Sequence, residues 1–222
     1  LGDVYKRQVL TSCGEKKQIS EFPDWAWADF QRPEGINPIV SPDTTTVFYC
    51  PMRQDSVAWE SSDTFNPAAT IYDGKVVVLY RAEDNSAVGI GSRTSRLGYA
   101  YSDDGLHFNR MTVPVFYPAD DNQKELEWPG GCEDPRVAVT NDGLYVMLYT
   151  QWNRKQARLA VATSRDLQIW EKYGPAFAKA YGGRFFDEFS KSASIVTKLV
   201  DGKQVIAKID GKYWMYCCLL YT

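Results

Sequence analysis

The run Glu127-Trp128-Pro129-Gly130-Gly131-Cys132-Glu133-Asp134-Pro135-Arg136 gathers the residue types from which an acid–base site is made. Two adjacent carboxylates repel each other. A nearby arginine can hold one of them ionised while the other, in a drier place, keeps its proton near neutral pH and becomes a general acid. Gly130 and Gly131 let backbone approach a ligand closely, and Trp128 offers an aromatic face to a sugar ring. The same residues admit a plainer reading, an Asp-Arg pair that staples one edge of a sheet. More polar residues sit beside apolar runs: Asn66 in Phe65-Asn66-Pro67-Ala68-Ala69, and Arg81, Glu83 and Asp84 in Tyr80-Arg81-Ala82-Glu83-Asp84.

The elements that must position these groups repeat. Tyr72-Asp73-Gly74-Lys75-Val76-Val77-Val78-Leu79-Tyr80 is echoed by Asn141-Asp142-Gly143-Leu144-Tyr145-Val146-Met147-Leu148-Tyr149 and by Ile209-Asp210-Gly211-Lys212-Tyr213-Trp214-Met215-Tyr216. The Asp-Gly pairs at 73, 142 and 210 lie 69 and 68 residues apart. Asp-Gly supplies the positive φ angles of a tight hairpin turn, and each pair precedes an aromatic and β-branched run suited to a buried strand. Between them a second pattern of strand, Ser-x-Asp turn and aromatic recurs, in Leu97 to Phe108 and in Leu159 to Trp170. Two hairpins per period make a four-stranded sheet, and such sheets repeated along a chain are the signature of a β-propeller. A β-sandwich would also give many short strands, but not the same two-part motif at a constant interval. The expectation is an all-β chain carrying about three propeller blades.

Composition narrows the function. With 44% hydrophobic and 14% aromatic residues the chain can build a packed core. Its formal charge of −3 offers no basic surface for nucleic acid, and no run of about eighteen apolar residues could span a bilayer. The lone histidine, His107, lies in a turn before Phe108, so neither a histidine-based metal site nor a Ser-His-Asp triad is supported.

The two ends read differently from the rest. Asp3-Val4-Tyr5-Lys6-Arg7-Gln8 can be encoded by GAT GTG TAT AAG AGA CAG, whose reverse complement, read one base in, encodes Cys218-Leu219-Leu220-Tyr221-Thr222. Residues 1–8 and 218–222 are therefore expected to derive from a sequencing adaptor, with Cys217 at the junction. Leu10-Thr11-Ser12-Cys13-Gly14 resembles a bacterial lipobox, which makes Cys13 a candidate lipidation site, residues 9–21 the lipobox remnant and tether, and 22–217 the partial propeller. An exported lipoprotein, periplasmic or at the cell surface and touching a membrane only through its lipid anchor, follows from that reading.

Taken in order, Asn66-Pro67-Ala68-Ala69, Arg81 with Glu83-Asp84, and Gly131-Cys132-Glu133-Asp134-Pro135-Arg136 resemble glycoside hydrolase family 130, the β-mannoside phosphorylases and β-1,2-mannosidases. The similarity runs from about Phe65 to Tyr216. The resemblance implies a five-bladed β-propeller and makes Asp134 the catalytic acid, protonating the glycosidic oxygen through a sugar hydroxyl. Asn66 and Arg81 would hold the mannose, and Arg136 would neutralise the neighbouring carboxylates. Glu133 would orient substrate or Arg136. Asp84, Arg96, Gln151 and Lys191 are further substrate-binding candidates, Lys191 falling roughly where phosphorylases carry an anion-binding residue.

The family inverts anomeric configuration, so a second group must deliver water or phosphate from the opposite face of the sugar. The lipobox, the Glu127 to Cys132 approach and Gly211 to Tyr216 favour a hydrolase, an exo-β-1,2-mannosidase acting on β-mannoside oligosaccharides without cofactor or metal. A β-mannoside phosphorylase, with inorganic phosphate as co-substrate, is the alternative. A non-catalytic glycan-binding propeller is the reading from another class.

Overall fold

The computed structural model describes residues 32–220, so residues 1–8, the lipobox with Cys13, the tether to residue 21, and Tyr221 and Thr222 lie outside the described residues. Contacts divide the chain after Gly35, and the structure discussed below is the unit from Ile36 onward. It is almost entirely β, with 49% strand and 4% helix. Two short strands, β1 (Phe48–Cys50) and β2 (Asp55–Val57), precede a four-stranded antiparallel meander of β3 (Asp63–Tyr72), β4 (Lys75–Glu83), β5 (Ser95–Ser102) and β6 (Asn109–Arg110). A one-turn helix, α1 (Lys124–Glu127), leads into a second meander of β7 (Gly131–Val139), β8 (Tyr145–Trp152), β9 (Ala157–Ser164) and β10 (Glu171–Pro175). A third sheet begins with β11 (Phe189–Ile195). Two hairpins follow, β12 (Thr197–Val200) with β13 (Lys203–Ile206) and β14 (Lys208–Ile209) with β15 (Lys212–Tyr213), before β16 (Met215–Leu220) pairs antiparallel with β11.

These sheets are successive propeller blades. The first two meet edge to edge at a single parallel bridge, Ser95 to Gly131, and otherwise pack face to face. Val77 and Leu79 of β4, with Leu97 and Tyr99 of β5, share one core with Val137, Val139, Met147 and Tyr149 of the second blade. The intervening residues of β4, Val78, Tyr80 and Ala82, face the other way onto Phe48, Cys50 and Trp59. On the far side of the second blade, Leu148 and Leu159 pack against Ala193 and Ile195 of the third. A strand with both faces covered has no polar face to show, which is why β4 and β8 read as continuous apolar runs rather than as alternating ones.

The repeated turns follow their residue types in part: at the second Asp-Gly pair only Gly143 has a positive φ (81°), and residues 140–144 form a longer loop between β7 and β8 in which Thr140 Oγ1 accepts from Leu144 N at 2.9 Å. Asp73 and Gly74 have φ of 48° and 73°, the left-handed pair that closes a two-residue hairpin between β3 and β4. In the second turn of each blade the serine Oγ accepts from the backbone three residues on, Gly105 N to Ser102 at 2.8 Å and Leu167 N to Ser164 at 2.8 Å. The aspartate two residues after that serine accepts two further amides, from Leu106 and His107 at Asp104 and from Gln168 and Ile169 at Asp166.

The third Asp-Gly pair departs from expectation. Asp210-Gly211 closes an exposed hairpin, β14 to β15, and not the entry to a core strand, and a further hairpin at Asp201-Gly202 precedes it. The apolar residues beside this turn, Ile209 and Tyr213, are 49% and 66% exposed, so the turn stands clear of the core. The strand that does pair, β16, runs to Leu220 and includes the backbone of Cys218 to Leu220, opposite Phe189 to Lys191.

Candidate active site

Each inner strand carries a register shift at the same place: between Phe65 and Ala68 in β3, Glu133 and Arg136 in β7, and Lys191 and Ser194 in β11. At each shift a non-glycine residue takes the left-handed conformation, Asn66 (φ 45°), Asp134 (φ 50°) and Ser192 (φ 53°). Asn and Asp tolerate that region better than most residues, and the prolines that follow them, Pro67 and Pro135, have no N–H to give to a ladder. A bulge re-aims side chains out of the pleat. Just beyond the three bulges the inner strands line one cavity of about 190 Å³, with Pro67, Ala68, Arg136, Val137, Ser194 and Ile195 among its walls. The bulges thus stand around one end of a common channel.

There Asn66 and Asp134 meet. The Asn66 Nδ2 donates to Asp134 Oδ1 at 2.9 Å, and Arg81 Nη1 reaches the same oxygen at 3.1 Å. Among the described residues no protein donor reaches Oδ2. Arg81 is itself held from several sides: Nη2 donates to Glu83 Oε1 (2.5 Å) and to Glu133 Oε1 (2.8 Å), and Nε to Ser95 Oγ (3.0 Å). Its guanidinium lies 4.6 Å from the centre of the Phe65 ring. Burial works against its charge, but Glu133, Asp134 and Glu83 more than offset that and hold it protonated beyond the usual range. Asp134 keeps 13% of its side-chain surface, Arg81 5% and Glu83 none, so Asp134 is open to a ligand while Glu83 stands behind Arg81.

Glu133 is the group whose titration the site most alters. Burial pushes it up to about 7, Arg81 opposes, the charges of Asp134 and Glu83 add to the rise, and Lys191 opposes again. Lys191 is exposed and lies just before the third bulge, the one in β11.

Other expected residues lie elsewhere. Arg136 does not neutralise the carboxylates; Arg81 does. The bulge at Asp134-Pro135 leaves Arg136 exposed, donating to the Pro135 carbonyl at 2.7 Å and facing the channel cavity. Asp84 and Arg96 pair with each other at 2.9 Å, 1% and 0% exposed, and Arg96 also reaches Cys50 Sγ at 3.4 Å. Burial raises the Asp84 carboxyl, but Arg96 and the Ser86 bonds outweigh it and leave it below the usual range. Gln151 is fully buried, donating to Gln123 and Glu127 within a cluster that includes Tyr149 and Lys172. Arg96 and Gln151 have no accessible surface and brace the blades, while Asp84, tied to Arg96, keeps 1% and borders a cleft away from Asp134. Trp128 is half-buried against the Phe48 and Val78 core and lines the same cleft with Met52, Arg53 and Asn85. Ser192 and Ser95 carry no sequence signal as site residues, and Glu83 appears in the Arg81 motif without a role. The strand period could have found Glu83, which shares Arg81's face two residues on.

Successive four-stranded blades with an acid, an arginine and an asparagine converging at one channel end define a β-propeller with a polar, ligand-accessible mouth. The chain belongs to glycoside hydrolase family 130, whose sequence profile, described as β-1,4-mannooligosaccharide phosphorylase, matches residues 31–220. A 1,2-β-oligomannan phosphorylase of Thermoanaerobacter sp. (strain X514) is 36% identical over 152 residues, 67% of this chain and 46% of its own. A Bacteroides thetaiotaomicron crystal structure is 98% identical with a TM-score of 0.86, covering 90% of this chain and 57% of that one. A further structure, reported with the finding that this family of mannoside phosphorylases contains glycoside hydrolases targeting β-1,2-mannosidic linkages in Candida mannan, is 69% identical (TM-score 0.86; 89% and 55% covered). The family's propeller is five-bladed, and the chain spans about half the length of these relatives.

Proposed function

We propose that the protein to which this chain belongs is an inverting exo-β-1,2-mannosidase in which Asp134 is the acid. The observation that carries this is the convergence of Asn66 and Arg81 on Asp134 Oδ1. With Oδ1 occupied by two donors, Oδ2 is the oxygen available to hold a proton and pass it toward a sugar hydroxyl. Asn66 is exposed and Arg81 is fixed by its carboxylates, so both can present a mannose to that proton without rearranging. No cofactor or metal enters this reading. The 69% likeness to a structure reported with β-1,2-mannoside hydrolases supports hydrolysis over phosphorolysis. On this reading the protein is exported and anchored through a lipidated Cys13, where free phosphate is scarce, which fits hydrolysis.

Phosphorolysis is the second reading, and Lys191 beside the third bulge favours it, as do the names of the curated relatives at 36% and 32% identity. The test uses the full-length protein with β-1,2-mannobiose. Release of free mannose at the same rate with and without inorganic phosphate is expected, and mannose 1-phosphate formed only with phosphate would replace hydrolysis by phosphorolysis. Asp134→Asn is expected to lower kcat by about 10²–10⁴-fold while mannobiose still binds. Wild-type protein that binds mannobiose and cleaves none, with binding unchanged in Asp134→Asn, would leave a glycan-binding propeller instead.

A further inference from the structure

Arg81 is the hub of the site, but what fixes Arg81 lies behind the mouth. Glu83 follows it by two residues on the same face of β4 and has no exposed side-chain surface. Its Oε1 accepts from Arg81 Nη2 at 2.5 Å and from Ser95 Oγ at 3.1 Å, while Ser95 Oγ also accepts from Arg81 Nε at 3.0 Å. This closes a ring of three side chains on two paired strands, since Glu83 and Ser95 are cross-strand partners. Ser95 is also the residue whose backbone meets Gly131 at the bridge between blades, two positions before Glu133. The second carboxylate oxygen, Oε2, makes no hydrogen bond; Arg93 Nη1 stands 3.5 Å away, and Arg93 is paired with Asp63 as well.

We propose that Glu83 is a positioning residue: through Arg81 and Ser95 it fixes the guanidinium that Glu133 and Asp134 share. The inference rests on the reading of Asp134 as the acid. Three carboxylates, Glu83, Glu133 and Asp134, draw on one guanidinium, and Asp134 receives only what the other two leave. The charged groups around Glu133 are Arg81 and Glu83 from β4, Asp134 from its own strand and Lys191 from β11; Arg93 and Asp63 lie behind Glu83. Glu83 is among the charges that push the Glu133 titration upward. Replacing it by its uncharged isostere keeps the shape and an acceptor for Arg81, removes the charge and puts an amide nitrogen in place of the oxygen nearest Arg93.

The experiment compares wild-type full-length protein with Glu83→Gln, following the Glu133 carboxyl by ¹³C NMR titration and mannobiose hydrolysis across the same pH range. In the variant the Glu133 midpoint is expected to fall by about one pH unit, a tenfold change in proton affinity. The pH profile of kcat/KM is expected to move with it. An unchanged midpoint and an unchanged profile would overturn the proposal. Should Glu83→Gln fail to fold, Ser95→Ala unhooks Arg81 Nε while leaving every charge in place. There kcat is expected to drop about tenfold with KM nearly unchanged, and wild-type kcat would overturn the proposal. Because the titration needs no turnover, a protein that shows the shift but cleaves no mannoside would remove the proposed function and leave the link between Glu83 and Glu133 standing.

Discussion

At the scale of single residues the site is an unequal sharing of one arginine among three acids, and its thermodynamic mark falls on Glu133. The folded protein raises this carboxyl from an ordinary 4.5 to about 7. Between those values the native state binds a proton that the unfolded chain has released, so stability falls as pH rises. The contribution is complete below about pH 4.5 and gone once pH has passed the folded value near 7, a loss of roughly 3 kcal/mol at most. Glu133→Gln cannot titrate, so its unfolding free energy should lack this slope. Urea midpoints across pH 4 to 8 check this, and parallel wild-type and variant profiles would refute it. The short, ordered motifs make Asn66, Arg81, Glu133 and Asp134 legible in sequence, while Glu83 carries no role there. Sequence misjudged Arg136, which adjoins the acids along the chain, because a bulge intervenes and the arginine that pairs with them comes from another blade.

At the scale of elements, what brings β4 and β7 near enough to share Arg81 is the bridge at Gly131. This glycine has φ of +121°, and a Cβ there would stand 2.2 Å from the carbonyl oxygen of Ser95. Backbone cannot yield as a side-chain tip can, so Gly131→Ala combines overpacking with a conformation closed to L-residues and should cost about 2–5 kcal/mol. Gly74 offers the contrast. Its φ of +73° serves the Asp73-Gly74 turn, but nothing lies within 4 Å of a Cβ there, so Gly74→Ala should cost only about 1–2 kcal/mol. Denaturant titration of both variants ranks them; equal losses would mean that the blade contact adds nothing. Mannobiose affinity, measured calorimetrically on folded full-length variants, should fall for Gly131→Ala alone. The turns themselves were plain in sequence, since Asp-Gly and Ser-x-Asp have local chemistry. The third blade's inserted hairpin at Asp201-Gly202 was not, because its turn is as local as the others and only tertiary packing tells an insertion from a repeat.

At the scale of the whole molecule, each blade is stable by covering its neighbour's faces: β4 and β8 are buried on both sides, and their apolar residues alternate between two cores. The third blade breaks this rule. Tyr213, Trp214 and Tyr216 are 66%, 52% and 78% exposed, and among the described residues β16 pairs with β11 alone. Large exposed aromatics beside a free strand edge are the surface that another sheet covers or that aggregates. Since the chain spans about half the length of its relatives, the covering sheet is expected to come from the remainder of a five-bladed ring. The tryptophan emission attributable to Trp214, taken as the difference between wild type and Trp214→Phe, should then be blue-shifted and shielded from acrylamide in the full-length protein. In the 222-residue chain the same difference signal should be red-shifted and quenchable, and that chain should self-associate where the longer protein does not. A Trp214 signal equally quenchable in both would mean that the aromatic strip stays open to solvent in the closed ring, and the exposed edge would then need a different partner.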